Sequence, residues 1–232
     1  MARKRLVGPT VRQPPRLDEE QAQRSGDALE PYELLEEVGW DGGAPEVGVP
    51  GVEIVRSRLV GVRFTGLELV DLRLLDTVLV DCELSGAVLA GARFERVVFT
   101  RCRMSGVVAT ELRAEDVRFD GCQMDQAWLR ASRLDRCELV DSDLRGADLY
   151  GARVTRTAVR RCDLTEVDVT GSDFDAVSLH GSTVDRLKGA ASLRGLTIGS
   201  DQLVPLALPI LAAQQIRVDD DPPELTETVN DG

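Results

Sequence analysis

Redox or metal chemistry in this chain would fall to five cysteines, Cys82, Cys102, Cys122, Cys137 and Cys162. Proton transfer would fall to one histidine, His180, and a large stock of carboxylates. A zinc site draws its thiolates or imidazoles from short spacings such as Cys-x-x-Cys. No such pair exists here, and His180 is far from every cysteine. No glycine-rich phosphate loop and no nucleophile with an adjacent base can be picked out. Carboxylates such as Asp143 and Asp148 recur at regular intervals, which marks them as parts of a repeat. The expectation is therefore no catalytic residue, no metal and no cofactor. A second chemistry is ionic: Arg73, Arg93, Arg113, Arg133 and Arg153 recur every 20 residues, bracketed by Glu53 and Asp173 at equivalent positions.

What positions these residues is a five-residue step. From Ile54 through Leu59, Phe64 and Leu69 to Leu179 and Val184, 27 consecutive positions are apolar, and only Ala109 and Ala114 among them are small. Two positions before each hit stands a smaller residue such as Ser57, Cys82, Ala87, Ser132 or Thr157, with Val or Leu the largest. All five cysteines occupy this slot, where buried free thiols act as small hydrophobes. Neither a helix nor a strand has a period of five. A fixed short period signals stacked units that contact only their neighbours.

In this stretch Ala147-Asp148-Leu149-Tyr150-Gly151 and Ser142-Asp143-Leu144-Arg145-Gly146 resemble the repeating unit Ala-(Asp/Asn)-Leu-x-x of the pentapeptide-repeat family. The resemblance implies an all-β fold, a right-handed quadrilateral parallel β-helix with four pentapeptides per coil. The 27 units would make about seven coils, stacked at ~4.8 Å. Cysteines stacked one coil apart then form a ladder of free thiols, because parallel Cβ vectors at that spacing suit no disulfide. Leu112, in the small slot between Ala109 and Ala114, is expected to refill the core there. Glycines that end many units, such as Gly61, Gly86 and Gly146, suggest corners that need φ > 0.

Composition agrees with this division. Of 232 residues 43% are hydrophobic but only 4% aromatic, so the core must be aliphatic. The net charge of −12 splits evenly over 1–50, 51–186 and 187–232, at 6 basic against 10 acidic, 19 against 23 and 3 against 7. That balance argues against direct nucleic-acid binding. No run suits a membrane span, and no apolar signal region follows the basic start, so a cytoplasmic protein is expected. Residues 1–50 read as a largely disordered N-terminal arm, 51–187 as the β-helix, 188–218 as a short C-terminal α-helical cap and dimerisation segment, and 219–232 as a disordered acidic tail. In the cap, Asp201 is a plausible helix N-cap. The segment around Leu34, Leu35 and Trp40 is expected to dock on the solenoid.

With no chemistry inside, function is sought on the sides, by protein–protein contact. The most acidic side carries Glu68, Asp71, Glu111, Asp148 and Asp168. The chain resembles the mycobacterial fluoroquinolone-resistance type of the family in having no loop between coils, and departs from it in its long arm and mixed charge. That resemblance implies a DNA mimic that binds DNA gyrase on this acidic side and protects it from quinolone-type inhibitors. It also implies a homodimer through the C-terminal segment, with Val204, Leu206, Leu208 and Leu211 at the interface. The alternative is a scaffold docking another cellular protein on the arginine column or on apolar columns. One such column is Val88, Val108 and Trp128 with Val70 and Ala90, and another patch is Val60, Val78, Val80 and Val98. Glu95, Glu115 and Asp135, two residues beyond the arginines, are expected to neutralise that column.

Overall fold

The computed structural model describes residues 28–218, together with the backbone of Gln23–Arg24. The five-residue step closes a square because each fifth residue turns a corner in the left-handed region. All 28 such residues from Gly51 to Arg186 have φ between 46° and 72°. Eleven are glycine, but seventeen carry side chains, among them Asp76, Arg96, Asp141 and Arg161. The left-handed region costs such a residue roughly 1–2 kcal/mol. Each coil offsets this by handing the corner amide to the next coil: the N–H groups of Asp76 and Arg96 donate to the carbonyls of Glu95 and Glu115, both at 3.0 Å.

Two of the four sides are continuous parallel sheets. The first side has eight strands, beginning with Leu34–Glu36, Glu53–Val55 and Arg73–Leu75 and ending at Asp173–Asp175. The second has ten, including Arg58–Val60, Val78–Val80 and Val177–His180. The third and fourth sides are single bridges, running from Arg63 to Thr183 and from Glu68 to Lys188. Eight coils at ~4.8 Å make a rod of about 38 Å, the quadrilateral β-helix with one coil more than the sequence suggests.

That extra coil corrects one boundary. Residues 28–50 are not an arm but a first turn of the solenoid. Leu34–Glu36 pairs with Glu53–Val55 and Gly39–Asp41 with Arg58–Val60, at an offset of 19 in place of 20. Leu35 and Trp40 are thereby buried in line with Ile54 and Leu59. Trp40 meets Phe64 edge-on at 5.6 Å. The segment closes the N-terminal end of the rod and does not lie over its sides. Gln23–Arg24 adds one further strand against Gly39–Trp40, and the rest of the expected arm and the 219–232 tail fall outside the described residues.

The core is a single column of stepped residues with the small slots between them, all five cysteines buried and unbonded. Phe94, Phe99 and Phe119 fill its N-terminal half, the last two stacked at 5.0 Å. Leu112 is buried between Ala109 and Ala114, as their volume deficit requires. Below it the fillers are mostly leucine and valine, and an apolar void of about 70 Å³ runs among residues from Leu112 to Leu196. At the C-terminal end Leu196–Ile198 adds a last strand to Val177–Leu179, again at an offset of 19. Helix α1, Leu203–Ala213, follows with Pro209 inside it. Gln202, not Asp201, precedes α1, and its side chain donates to the Ser182 carbonyl at 2.9 Å.

Candidate interaction faces

The thiols are packed inside the rod. Cys82, Cys102 and Cys122 point their Sγ atoms at the carbonyls of Leu59, Leu79 and Phe99, each at 3.6 Å. A hydrogen bond with Cys102 lowers Cys82 and Cys122, whereas neighbouring thiols and burial push Cys102 up, and burial raises Cys137 to about 12 and Cys162 to about 11. A thiol held protonated is a poor nucleophile and a poor ligand. Among the described residues no group of His, Cys, Asp and Glu gathers to hold a metal. No described helix is long and apolar enough to cross a membrane.

The fourth side brings together all five predicted acidic residues and divides them. Its central column reads Glu68, Val88, Val108, Trp128, Asp148, Asp168 and Lys188 in consecutive bridges. Asp71 and Glu111 stand on the adjoining corner, both with positive φ. Three apolar residues thus separate Glu68 from the lower pair of carboxylates. Asp148 is committed to Arg130 at 2.6 Å, and Asp168 accepts the Thr170 N–H at 2.9 Å. Hydrogen bonds from Thr170 hold the Asp168 carboxyl below its usual range. At the centre Trp128 is 52% exposed, with the Arg130 guanidinium 5.7 Å over its ring. Tyr150, 54% exposed, stands on the next coil. The sequence reading missed Tyr150 and Arg130, although a period of 20 places both one column over from Trp128. The second apolar patch is weaker: Val78 is buried, Val60, Val80 and Val98 are half-buried as Val88 and Val108 are, and no exposed aromatic stands among them.

The first side overturns an expectation. Arg73, Arg93, Arg113, Arg133 and Arg153 do stand in register. Among the described residues only the end members pair along the column, Arg73 with Glu53 at 2.7 Å and Arg153 with Asp173 at 3.3 Å. Glu95, Glu115 and Asp135 do not neutralise the middle three. They turn to the corner arginines instead: Glu95 to Arg96, Glu115 to Arg136, and Asp135 to Arg136 and Arg156. The corner wins because it already carries a carboxylate one coil back. Arg96 grips Asp76 with two bonds of 2.6 and 2.9 Å, and Arg136 grips Asp116 with two of 2.8 and 2.9 Å. Such forked pairs are the strongest geometry open to a guanidinium. The same device recurs at the next corner, where Arg101 takes Asp81 and Arg161 takes Asp141. The Asp-Arg-Gly order at 81, 101, 121 and again at 141, 161, 181 is legible in the sequence.

The C-terminal helix shows most of its apolar surface. Val204 is 82% and Leu208 65% exposed, and Leu211 is half-buried. Leu206 is only 2% exposed and belongs to the core. It seals its own rod, so it does not fit the interface role expected of it.

Comparison with protein families identifies the repeating unit. The family model for pentapeptide repeats matches in eight copies, over residues 57–96, 77–111, 122–157 and 142–181. The gap between the matched spans, residues 112–121, includes Ala114. No curated protein matches the chain. Among solved structures it is similar to QnrB1, a plasmid-mediated fluoroquinolone resistance protein, at 17% identity and a TM-score of 0.40, covering 85% of this chain and 95% of that one. It is also similar to HetL, a pentapeptide-repeat protein involved in heterocyst differentiation regulation from a Nostoc cyanobacterium. There the identity is 14% and the TM-score 0.29, over 76% of this chain and 93% of that one.

Proposed function

We propose that this chain, which belongs to the pentapeptide-repeat family, is a non-catalytic docking rod whose fourth side binds a partner protein. The observation that carries the reading is the centre of that side, where Trp128 and Tyr150 are more than half exposed. Half-buried Val88 and Val108 continue the Trp128 column, Arg130 flanks it, and carboxylates stand beyond both ends. Exposed contiguous apolar surface with a polar rim is the usual form of a protein-binding patch. Trp, Tyr and Arg are the residues that dominate such patches energetically. The rod supplies rigidity, so little ordering cost falls on this side of the contact.

The test is affinity capture from the native host with the full chain and with Val108→Asp/Trp128→Ala. A defined protein retained by the wild type and lost from the variant is expected; equal capture by both overturns the reading. One observation favours a finer reading, in which the partner is DNA gyrase bound by DNA mimicry. Glu68, Asp148 and Asp168 lie on this side, Asp71 and Glu111 stand on its adjoining corner, and the chain is acidic overall. The apolar break in that column supports protein docking in general more strongly than a continuous imitation of phosphates. Inhibition of gyrase supercoiling by the full chain, relieved by Glu68→Gln/Glu111→Gln, would establish the finer reading; no inhibition would remove it. The C-terminal helix supports a homodimer through Val204, Leu208 and Leu211.

A further inference from the structure

We infer that Arg93, Arg113 and Arg133 form a three-rung docking ladder for an acidic stripe on an α-helix of a partner protein. The three stand directly in register on consecutive coils, and all are exposed. Among the described residues none of them makes an ion pair or a side-chain hydrogen bond, whereas Arg73 and Arg153 at either end are capped by Glu53 and Asp173. The carboxylates nearest in sequence are taken by the corner arginines. Three stacked like charges with committed neighbours repel one another at ~4.8 Å. A ligand that supplies one carboxylate per rung relieves this, and guanidinium forks match carboxylates in two-bond geometry.

The repeat distance selects the kind of ligand. Two ladder steps span about 9.6 Å along the rod. A helix lying along the rod and bearing an acid on each of three successive turns spans about 10.8 Å. The difference of about 1.2 Å is within the reach of flexible arginine stems. An extended peptide presents same-face side chains every ~6.7 Å, or about 13.4 Å for two steps, which overshoots by more than a full residue. A nucleic-acid backbone is opposed by the net charge of −12 and by Glu95, Glu115 and Asp135 alongside the ladder. The ladder lies on a different side from the Trp128 column and does not depend on it.

The probe is a fluorescein-labelled, alanine-based helical peptide bearing one glutamate on each of three successive turns of one face. Its control has the same composition with the glutamates spread over three faces, and a single-stranded oligothymidine is the third ligand. Fluorescence anisotropy with the full chain at low salt should show the striped helix binding about tenfold or more tighter than the control. Arg113→Gln should weaken it about tenfold, and Arg93→Gln/Arg113→Gln/Arg133→Gln should abolish it. Trp128→Ala should leave it unchanged, which separates this site from the fourth-side reading. The glutamine variants remove exposed, unpaired side chains and should melt no lower than the wild type, so loss of binding cannot be loss of fold. Equal binding of striped and scattered peptides, wild-type affinity in the triple variant, or tighter binding of the oligothymidine would each overturn the proposal.

Discussion

Filling the void beneath Leu112 should stabilise the rod, and the gain can be worked from its size. The N-terminal half of the core is packed by Phe94, Phe99 and Phe119, while Val154 and Val159 line an apolar void of about 70 Å³ farther down. At ~24 cal/mol per Å³, complete filling is worth about 1.7 kcal/mol. Val154→Leu and Val159→Leu each add one methylene, together about 1.6 kcal/mol of new burial. The two figures agree, so the pair should nearly saturate the space. In thermal unfolding followed by circular dichroism, that corresponds to a rise of about 3–6 °C for a chain of this length. The contrast is Phe99→Ala in the filled half, which should cost about 3–5 kcal/mol. A double leucine variant that melts lower than the wild type would mean that the lower coils are already close-packed, and the reasoning would fail.

Other expectations follow from the charges and the cap. Arginine hydrogen bonds hold Asp81, Asp141 and Asp143 below the ordinary carboxylate value of 3.8. An unfolded chain therefore binds more protons than the folded one just below that value, so the melting temperature should be flat near neutrality and fall as pH drops under about 3.8; a rise on acidification would contradict these assignments. At the alkaline end, Cys137 and Cys162 ionise in the unfolded chain near 9.0 but are held protonated to about 12 and about 11 in the fold. Stability should accordingly decline as pH rises above 9.0. For the helix, Val204→Asp/Leu208→Asp should halve the mass seen by light scattering without changing the melting profile. Leu206→Asp should instead expose the cap to amide hydrogen exchange, since that side chain is already buried within its own chain. A dimer mass retained by the first variant would remove the proposed interface.

The interior was legible because a period of five has no competing explanation: each stepped residue from Ile54 to Val184 faces inward, and the cysteines follow from their slot. The ends were hidden by a slip of one residue. Leu35 and Trp40 lie 19 residues before Ile54 and Leu59, and Leu196 lies 19 after Val177, so a strict step passes over all three. The sides were legible as columns but not as contacts. Arg93 and Glu95 share a strand and look like partners in sequence. The corner at Arg96 captures the carboxylate because Asp76 has already fixed the guanidinium there. In the cap, a helix apolar nearly all round does not reveal which side docks, and only packing on the last coil singles out Leu206.

The most direct test of a function carried on the fourth side is a photo-crosslinking scan in the native host. A benzophenone amino acid would replace Val108 or Trp128 on that side, Val98 on the second, or Arg103 on the third. Adducts of one defined mass are expected from positions 108 and 128, with none from 98 or 103. Adducts confined to positions 98 and 103, or none from positions 108 and 128, would contradict it.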